Sequence, residues 1–338
     1  MRANILVEPG NIQLHEVPCP VPSPGELVVR IRAALTCGTD LKAYTRGHPV
    51  IPMPGLFGHE FSGVVSGIGK GVKGFREGDE IMAVHSAPCL SCRYCKKKLY
   101  NLCENIMNAK VLGAFAEYIL LPSPIVAQNV FHKPGNLSFE EAAFLEPLSC
   151  VVHGIEPLSL QRGETALVIG SGPIGLLHLL LLREKGARVA MMDINSSRLA
   201  TAKKFGAEKI YRSGKALSSS KKFTNGIGFD SVFECTGMPE VWEASVRYVR
   251  RGGTVVLFGG CKSGTTVTFD TGRIHYDELT LKGVFHFTPR DVKKAYDLLC
   301  SRRLNVSRMI SGRYPLEKIQ SAFTNLSKGR GIKYAIIP

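Results

Sequence analysis

Cys89, Cys92, Cys95 and Cys103 stand in the pattern Cys-x-x-Cys-x-x-Cys-x7-Cys. Two-residue gaps let neighbouring thiolates converge on one ion, and four sulfurs complete a tetrahedral zinc shell. Such a shell leaves no position for water, so its role is structural. An iron–sulfur cluster and free thiols are the alternatives. Lys96, Lys97 and Lys98 adjoin the cluster and would offset its negative charge. A second set of candidate ligands is dispersed: Cys37, the pair His59-Glu60, and Glu146. Taken singly these are ordinary residues, and a lone cysteine is usually a small buried side chain. Together they supply a thiolate, an imidazole and two carboxylates. An open zinc site uses about three protein ligands and keeps one position for water or substrate. Zinc there lowers the pKa of a bound hydroxyl toward about 7, which makes an alkoxide accessible.

A third group handles phosphate. Gly170-Ser171-Gly172-Pro173-Ile174-Gly175 is a Gly-x-Gly-x-x-Gly following an apolar run and opening a second one. The first glycine permits a tight turn, the second lets backbone approach a pyrophosphate, and the third lets helix and strand pack closely. Pro173 suits the first helical turn, where its missing N–H is not needed, and the exposed amides of that turn face the phosphates. Asp193 follows 18 residues after Gly175, where an acid meets the ribose hydroxyls. A carboxylate there disfavours a 2′-phosphate, so NAD is expected over NADP. Arg198 tempers this, since it could approach the adenosine ribose from the other side.

The elements that must position these groups fall into two rhythms. Up to Ser149 the chain is rich in Gly, Pro and short alternating runs such as Leu27–Arg32, Gly63–Gly69 and Asp79–Val84, which read as half-buried strands. Beyond it, apolar strands at Ala166–Ile169, Arg188–Asp193, Asp230–Cys235 and Thr254–Phe258 alternate with helices at Ile174–Glu184 and Ser196–Phe205. Asn195 or Ser196 would cap the second helix. That alternation implies a doubly wound parallel sheet. The polar stretch Ser213–Lys222 reads as an exposed loop. A helix over Asp291–Cys300 and a last strand over Tyr334–Ile337 return the chain to the first domain. The expected architecture is α/β: a strand-rich domain formed by residues 1–149 and 287–338, and a Rossmann domain spanning 150–286.

Composition narrows the classes. Hydrophobic residues are 44% and charged residues 21%, which excludes a disordered chain. The 35 glycines follow no Gly-X-Y period, which excludes collagen. Forty-three Lys and Arg against 28 Asp and Glu give a formal charge of +15. No nucleic-acid reader motif accompanies that charge, so it is expected to be a solvated surface that steers an anionic ligand. Thr165–Leu182 carries no formal charge and reaches the ~18 residues that suggest a membrane span. The glycine turn in its middle argues for strand, turn and buried helix instead. Glu8, Pro9 and Gly10 interrupt any apolar leader, so the thiols are expected to be reduced and the protein cytoplasmic, with neither membrane nor nucleic acid as a partner.

The chain resembles the zinc-dependent medium-chain dehydrogenases, and within them the sorbitol (polyol) and threonine dehydrogenase branch. The resemblance runs nearly end to end. It is carried by Cys37-Gly38-Thr39-Asp40, Gly58-His59-Glu60, the four clustered cysteines, Glu146-Pro147-Leu148-Ser149, the glycine cradle, Phe229–Gly237, and the ending Arg313–Glu317 with Gly331-Ile332-Lys333. It implies a discontinuous GroES-like catalytic domain and a Rossmann domain, with the active site in the cleft between them. It implies catalytic zinc on Cys37 and His59, with Glu60 and Glu146 as direct or water-mediated ligands, and NAD as the hydride acceptor. Thr39 matches the hydroxyl residue that takes the alcohol proton, and Asp40 would orient His59. Many relatives carry a histidine where this chain has Lys42, so either the lysine or solvent ends the proton relay. Tyr44 matches a tyrosine of the polyol pocket. His286-Phe287 falls where polyol enzymes tend to have an arginine followed by an aromatic, which argues against sorbitol itself. The resemblance also implies a homo-oligomer, a dimer or tetramer, assembled through the last strand of the cofactor sheet near Thr254–Phe258.

The expected activity is oxidation of a secondary alcohol, in a polyol, sugar alcohol, sugar acid or amino alcohol such as threonine, to a ketone. Two rivals are a zinc-free enone reductase on the same fold and a basic nucleic-acid-binding protein without the chemistry. The filled ligand positions count against both.

Overall fold

The structure, a computed structural model, describes residues 1–213 and 216–338. Its contacts divide the chain into two units, Met1–Ser149 with Phe287–Pro338, and Cys150–His286. The first unit is built on a seven-stranded sheet. Its order is Ile310–Pro315, Lys333–Ile337, Leu27–Leu35, Phe61–Ile68, Glu80–Ala83 and Val130–His132, with Tyr118–Leu121 also pairing on Leu27–Leu35. The alternation in Leu27–Leu35 has its cause in the pleat: Val29 and Ile31 are buried while Arg30 and Arg32 are exposed. Gly63 is required opposite that strand, because a Cβ there would lie 2.2 Å from the Arg30 carbonyl oxygen. Phe57 meets Phe115 edge-on at 4.8 Å and Phe323 at 5.7 Å, in the core under the sheet. A smaller sheet joins Asn11–Glu16, Arg2–Glu8 and Gly55–Leu56.

The second unit carries a six-stranded sheet in which every pairing is parallel. Its order is Lys209–Arg212, Arg188–Asp193, Thr165–Ile169, Phe229–Glu234, Val249–Leu257 and Thr280–Gly283. This is the doubly wound arrangement, whose ligand crevice opens at the carboxyl ends of the two central strands. The uncharged stretch that imitates a membrane span is the strand Thr165–Ile169, a glycine turn and the helix Pro173–Glu184. Among the described residues no helix is long and apolar enough to cross a membrane.

Two expectations need correction. The strand holding Thr254–Leu257 is not the last of its sheet: it is bonded on one side to Phe229–Glu234 and on the other to Thr280–Gly283. The open edge therefore belongs to Thr280–Gly283. The expected loop over Ser213–Lys222 is largely the helix Ala216–Phe223, while Gly214 and Lys215 lie outside the described residues. Buried Ser220, Phe223 and Thr224 recur at helical spacing. Phe223 packs in the core with Tyr211 and Phe229, and that burial outweighs the polar composition.

One buried histidine gives the second unit a pH dependence. His178 is fully buried in the helix Pro173–Glu184, Nδ1 lies 2.9 Å from the Ile174 carbonyl, and Phe258 packs edge-on against the ring. Burial pushes its pKa down to about 4. Unfolded, it takes up a proton near its ordinary value, so stability is complete above that value and falls as pH drops toward the folded one. The loss amounts to about 3 kcal/mol. We predict that His178→Leu flattens the urea-unfolding midpoint between those two pH values, and an unchanged slope would refute this account.

Candidate metal centres and dinucleotide cradle

The first candidate centre is made locally. Cys92 ends an extended segment and opens the short helix Arg93–Lys96, which turns Cys95 back toward Cys89. The four sulfurs of Cys89, Cys92, Cys95 and Cys103 all lie within 4.8 Å of one another. The Cys89 and Cys103 sulfurs are 3.5 Å apart, and those of Cys92 and Cys103 are 3.9 Å apart. A disulfide needs about 2.05 Å. Tetrahedral zinc with Zn–S near 2.3 Å sets the sulfurs about 3.8 Å apart. Hydrogen bonds from Ser91 and from the Cys92 amide hold the Cys89 thiol down at about 5, whereas burial pushes Cys95 up to about 12. The cluster is thus part thiolate even without a cation, and its geometry fits one zinc.

The second candidate centre is assembled from distant segments. Cys37 caps the helix Gly38–Arg46, its sulfur 3.4 Å from the Thr39 amide. The cap puts Asp40 on the buried face of the first turn, with no exposed surface. His59-Glu60 immediately precede the strand Phe61–Ile68, and Glu146 lies in the first turn of the helix Leu145–Ile155. Cys37, Asp40 and His59 bring ligand atoms within 4.8 Å of one another, and so do His59, Glu60 and Glu146. His59 belongs to both groups, so four other side chains converge on it, Cys37 and Asp40 in one group and Glu60 and Glu146 in the other. Asp40 Oδ1 stands 3.4 Å from His59 Nδ1, a contact that leaves Nε2 as the ring's ligand atom.

The electrostatics call for a cation. Glu60 Oε1 is buried without a hydrogen-bond partner among the described residues, and the buried Asp40 carboxylate has only the His59 ring nitrogen at 3.4 Å set against it. Burial, with the charge of Glu60, pushes the Cys37 thiol up. Burial also pushes Glu60 up, against the pull of Lys333 and His59. Burial works against protonating His59, yet the charges of Asp40 and Cys37 outweigh it and hold the imidazole well above its usual range. Buried negative charge thus outweighs the positive charge set against it, and this N, S and O donor set fits zinc.

Two residues missed by sequence reasoning belong to this neighbourhood. Lys333 is buried and paired with Glu60 Oε2. His85 places Nδ1 3.5 Å from Glu146 Oε1, its ring 5.1 Å from that of His59 and edge-on to Phe287 at 5.8 Å. A faint signal existed for His85, since Ile81, Ala83 and His85 share one face of a strand pattern. Thr39 and Lys42 occupy the same helix as Asp40 and are partly exposed. Tyr44 packs in the core of the first unit, with its ring 5.5 Å from Phe323 and its hydroxyl 3.4 Å from Thr324 Oγ1. It lies on the buried face of its helix, where an aromatic gains more from Phe323 than from water. His286 ends the second unit in a left-handed conformation, φ 63°.

The cradle has the features its glycines require. Gly170 has φ 100°, and a Cβ on Gly175 would fall 1.8 Å from the Gly170 carbonyl oxygen. A Cβ on Gly172 would meet nothing within 4 Å, so it would project into the open space where a pyrophosphate must come. Pro173 and Ile174 begin the helix behind it. Asp193 closes its strand and accepts hydrogen bonds from the Ser171 amide at 2.6 Å and the Asn195 amide at 2.8 Å. Arg198 stands in the first turn of the next helix, capped by Asn195. The residues present fit a dinucleotide.

Comparison with known proteins agrees with this chemistry. Residues 173–301 match the family described as zinc-binding dehydrogenase, and residues 23–132 match the alcohol dehydrogenase GroES-like domain. The chain is 34% identical to D-altritol 5-dehydrogenase of Agrobacterium fabrum, over 96% of its own length and 95% of that protein. It is 32% identical to sorbitol dehydrogenase of Homo sapiens, over 96% and 92%. Among solved structures, a protein of Sinorhizobium meliloti 1021 described as a zinc-binding dehydrogenase and bound to NADP superposes with a TM-score of 0.91. It has 31% identity and covers 100% of this chain and 99% of that one.

Metal analysis of purified protein is expected to return two zinc ions per chain. Cys92→Ser should remove one and lower the thermal midpoint, and Cys37→Ser should remove the other with little change in stability. Gly172→Val should abolish dinucleotide binding, read by calorimetry, and leave both metals in place. A variant that still binds the dinucleotide would displace the cradle from its assigned role.

Proposed function

The chain belongs to the zinc-binding alcohol dehydrogenases and is an oxidoreductase; on that premise we propose that it oxidises a secondary alcohol of a polyol or related sugar derivative to a ketone, with NAD as acceptor. The observation that carries the reading is the convergence of Cys37, Glu60 and Glu146 on His59 in the interior of the first unit. The likeness to altritol and sorbitol dehydrogenases over almost the whole chain supports a polyhydroxylated substrate.

Cys37, His59 and Glu146 hold the catalytic zinc in this reading, and Glu60 serves as an alternative carboxylate. Bound there, zinc supplies Lewis acidity toward an alcohol oxygen, and NAD supplies the site that accepts the hydride. The protein's own residues do the rest. Asp40 fixes the orientation of His59 through Nδ1, which leaves the opposite ring nitrogen for the metal. Thr39, a partly exposed hydroxyl two residues from Cys37, accepts the alcohol proton and passes it outward, with Lys42 or solvent as the next station. His85 restrains Glu146. Phe287, packed on His85 and 2% exposed, keeps water from that side. Residues 150–286 serve as the NAD-binding domain, and residues 1–149 with 287–338 as the catalytic domain.

Asp193 selects NAD over NADP by repelling a 2′-phosphate, and it also holds the cradle through the Ser171 amide. The open edge at Thr280–Gly283 is the route to a dimer or tetramer, and the reduced thiols suit a cytoplasmic enzyme.

Turnover is to be followed by nicotinamide absorbance over polyols, sugar acids, cyclitols and amino alcohols. We expect activity with a polyol-type secondary alcohol, and loss of turnover on zinc removal or in Cys37→Ser while NAD binding persists. Thr39→Val should lower kcat by at least about 100-fold, the scale of one positioned proton acceptor. Activity in metal-free protein would overturn the mechanism. Asp193→Ala should weaken binding of both NAD and NADP, since it removes the cradle's anchor as well as the repulsion; a clean switch to tight NADP binding would show that the anchor is dispensable.

A further inference from the structure

Lys333 is a buried cation with an assignment to explain. It opens the last strand, Lys333–Ile337, and is 1% exposed. Its ammonium donates to the Thr36 carbonyl at 2.7 Å and to Glu60 Oε2, and it stands 5.7 Å from the centre of the Phe144 ring. Thr36 directly precedes Cys37. Its hydroxyl accepts from the Tyr334 amide at 2.9 Å, and its own amide donates to the Tyr334 carbonyl at 3.0 Å. The strand that carries Lys333 is thereby locked to the segment that carries Cys37. One ammonium thus bridges the cysteine-bearing segment and the glutamate beside His59.

The two oxygens of Glu60 have different fates. Oε2 is committed to Lys333, while Oε1 is buried with no hydrogen-bond partner among the described residues. Glu146, the other carboxylate of the group, meets His85, whose Nδ1 stands 3.5 Å from Oε1. Burying an ammonium is costly, and such a group persists where it neutralises a specific anion. A carboxylate without it, next to a divalent ion in a low-dielectric interior, would be drawn onto the ion.

We infer that Lys333 is a positioning residue that restrains Glu60: by holding Oε2 it keeps this carboxylate from taking a permanent place on the ion held by Cys37, His59 and Glu146. The inference rests on the metal reading proposed above. It makes Lys333 the element that keeps the two carboxylates unequal, with Glu146 as the standing ligand and Glu60 as the held one.

The test uses the full chain loaded with cobalt or zinc. The bands lost between wild type and Cys37→Ser isolate the spectrum of this site. K333M should change those bands, slow zinc loss to a chelator by at least about threefold and lower kcat by at least about tenfold, because an unrestrained carboxylate would occupy the ion. In the Glu60→Gln background there is no charge left to restrain, so adding K333M should change the cobalt bands and the zinc-loss rate by less than about twofold. The double variant carries neither buried charge, so the comparison decides the matter even if K333M alone does not fold. A further change on the Glu60→Gln background overturns the inference, since Lys333 would then act on the metal by another route. So does K333M with wild-type bands and wild-type zinc loss. If Cys37→Ser removes no cobalt bands, the metal reading itself fails and this inference falls with it.

Discussion

The interior of the first unit concentrates negative charge that must be matched by positive charge. Asp40, Glu60 and Glu146 are 0%, 1% and 5% exposed, and Cys37 lies against them. Isolated charges in such a place would cost several kcal/mol each. Lys333 answers for one carboxylate, and the charges of Asp40 and Cys37 draw the His59 pKa up. Much of the surrounding fold can be read as the apparatus for holding this arrangement. The strand Phe61–Ile68 fixes His59 and Glu60 at its start, and the Leu35 amide donates to the Glu60 carbonyl at 2.9 Å. The last strand of the chain pairs antiparallel with Leu27–Leu35 through Ala335 and Ile336. That pairing delivers Lys333 to a site whose other members lie in the first 146 residues.

The two candidate metal centres share an element and differ in consequence. Cys89, Cys92, Cys95 and Cys103 occupy one short lobe whose small apolar cluster includes Ile106, Tyr100 and Met107. Four equivalent sulfurs can saturate a tetrahedral ion, so the lobe can be stiffened but offers nothing to a substrate. The His59 centre has unlike donors from separate segments, and carboxylates that differ in their partners. Unlike donors leave the ion a choice of ligand, and an ion with a choice can admit a substrate oxygen. Local sequence serves stability in the first case, and long-range topology serves chemistry in the second.

That division also explains what could be read from sequence. The clustered cysteines and the glycine cradle depend on spacings of a few residues, so their geometry is encoded where they stand. Strands such as Leu27–Leu35 and Thr165–Ile169 were legible because pleat and burial impose a period. The Lys333–Glu60 pair spans 273 residues, and a lysine opening an apolar strand looks like a solvated end until the strand's partner is known. His85 gains its meaning only from Glu146 and Phe287, neither near it in sequence. A helix position such as that of Tyr44 fixes a face without fixing what covers it. The sheet edge was misplaced for the same reason: Thr280–Gly283 is four residues long and weakly patterned, and its existence follows from the hydrogen bonds left open by Val249–Leu257.

Asp193 shows how tightly recognition can be built into architecture. Its carboxylate closes the strand next to Thr165–Ile169 and takes the Ser171 amide of the cradle at 2.6 Å. An amide at that position would otherwise be an unsatisfied donor in a buried turn, since Ser171 is only 1% exposed. The acid that ends this strand beside the cradle is therefore also the acceptor that shapes the phosphate turn. This carboxylate is not a surface feature that can be exchanged alone. A different acid-free solution would need another acceptor for Ser171, and hence a different turn. Such coupling ties the cradle to the same strand ends that define the sheet, much as Lys333 ties Glu60 to the last strand of the chain.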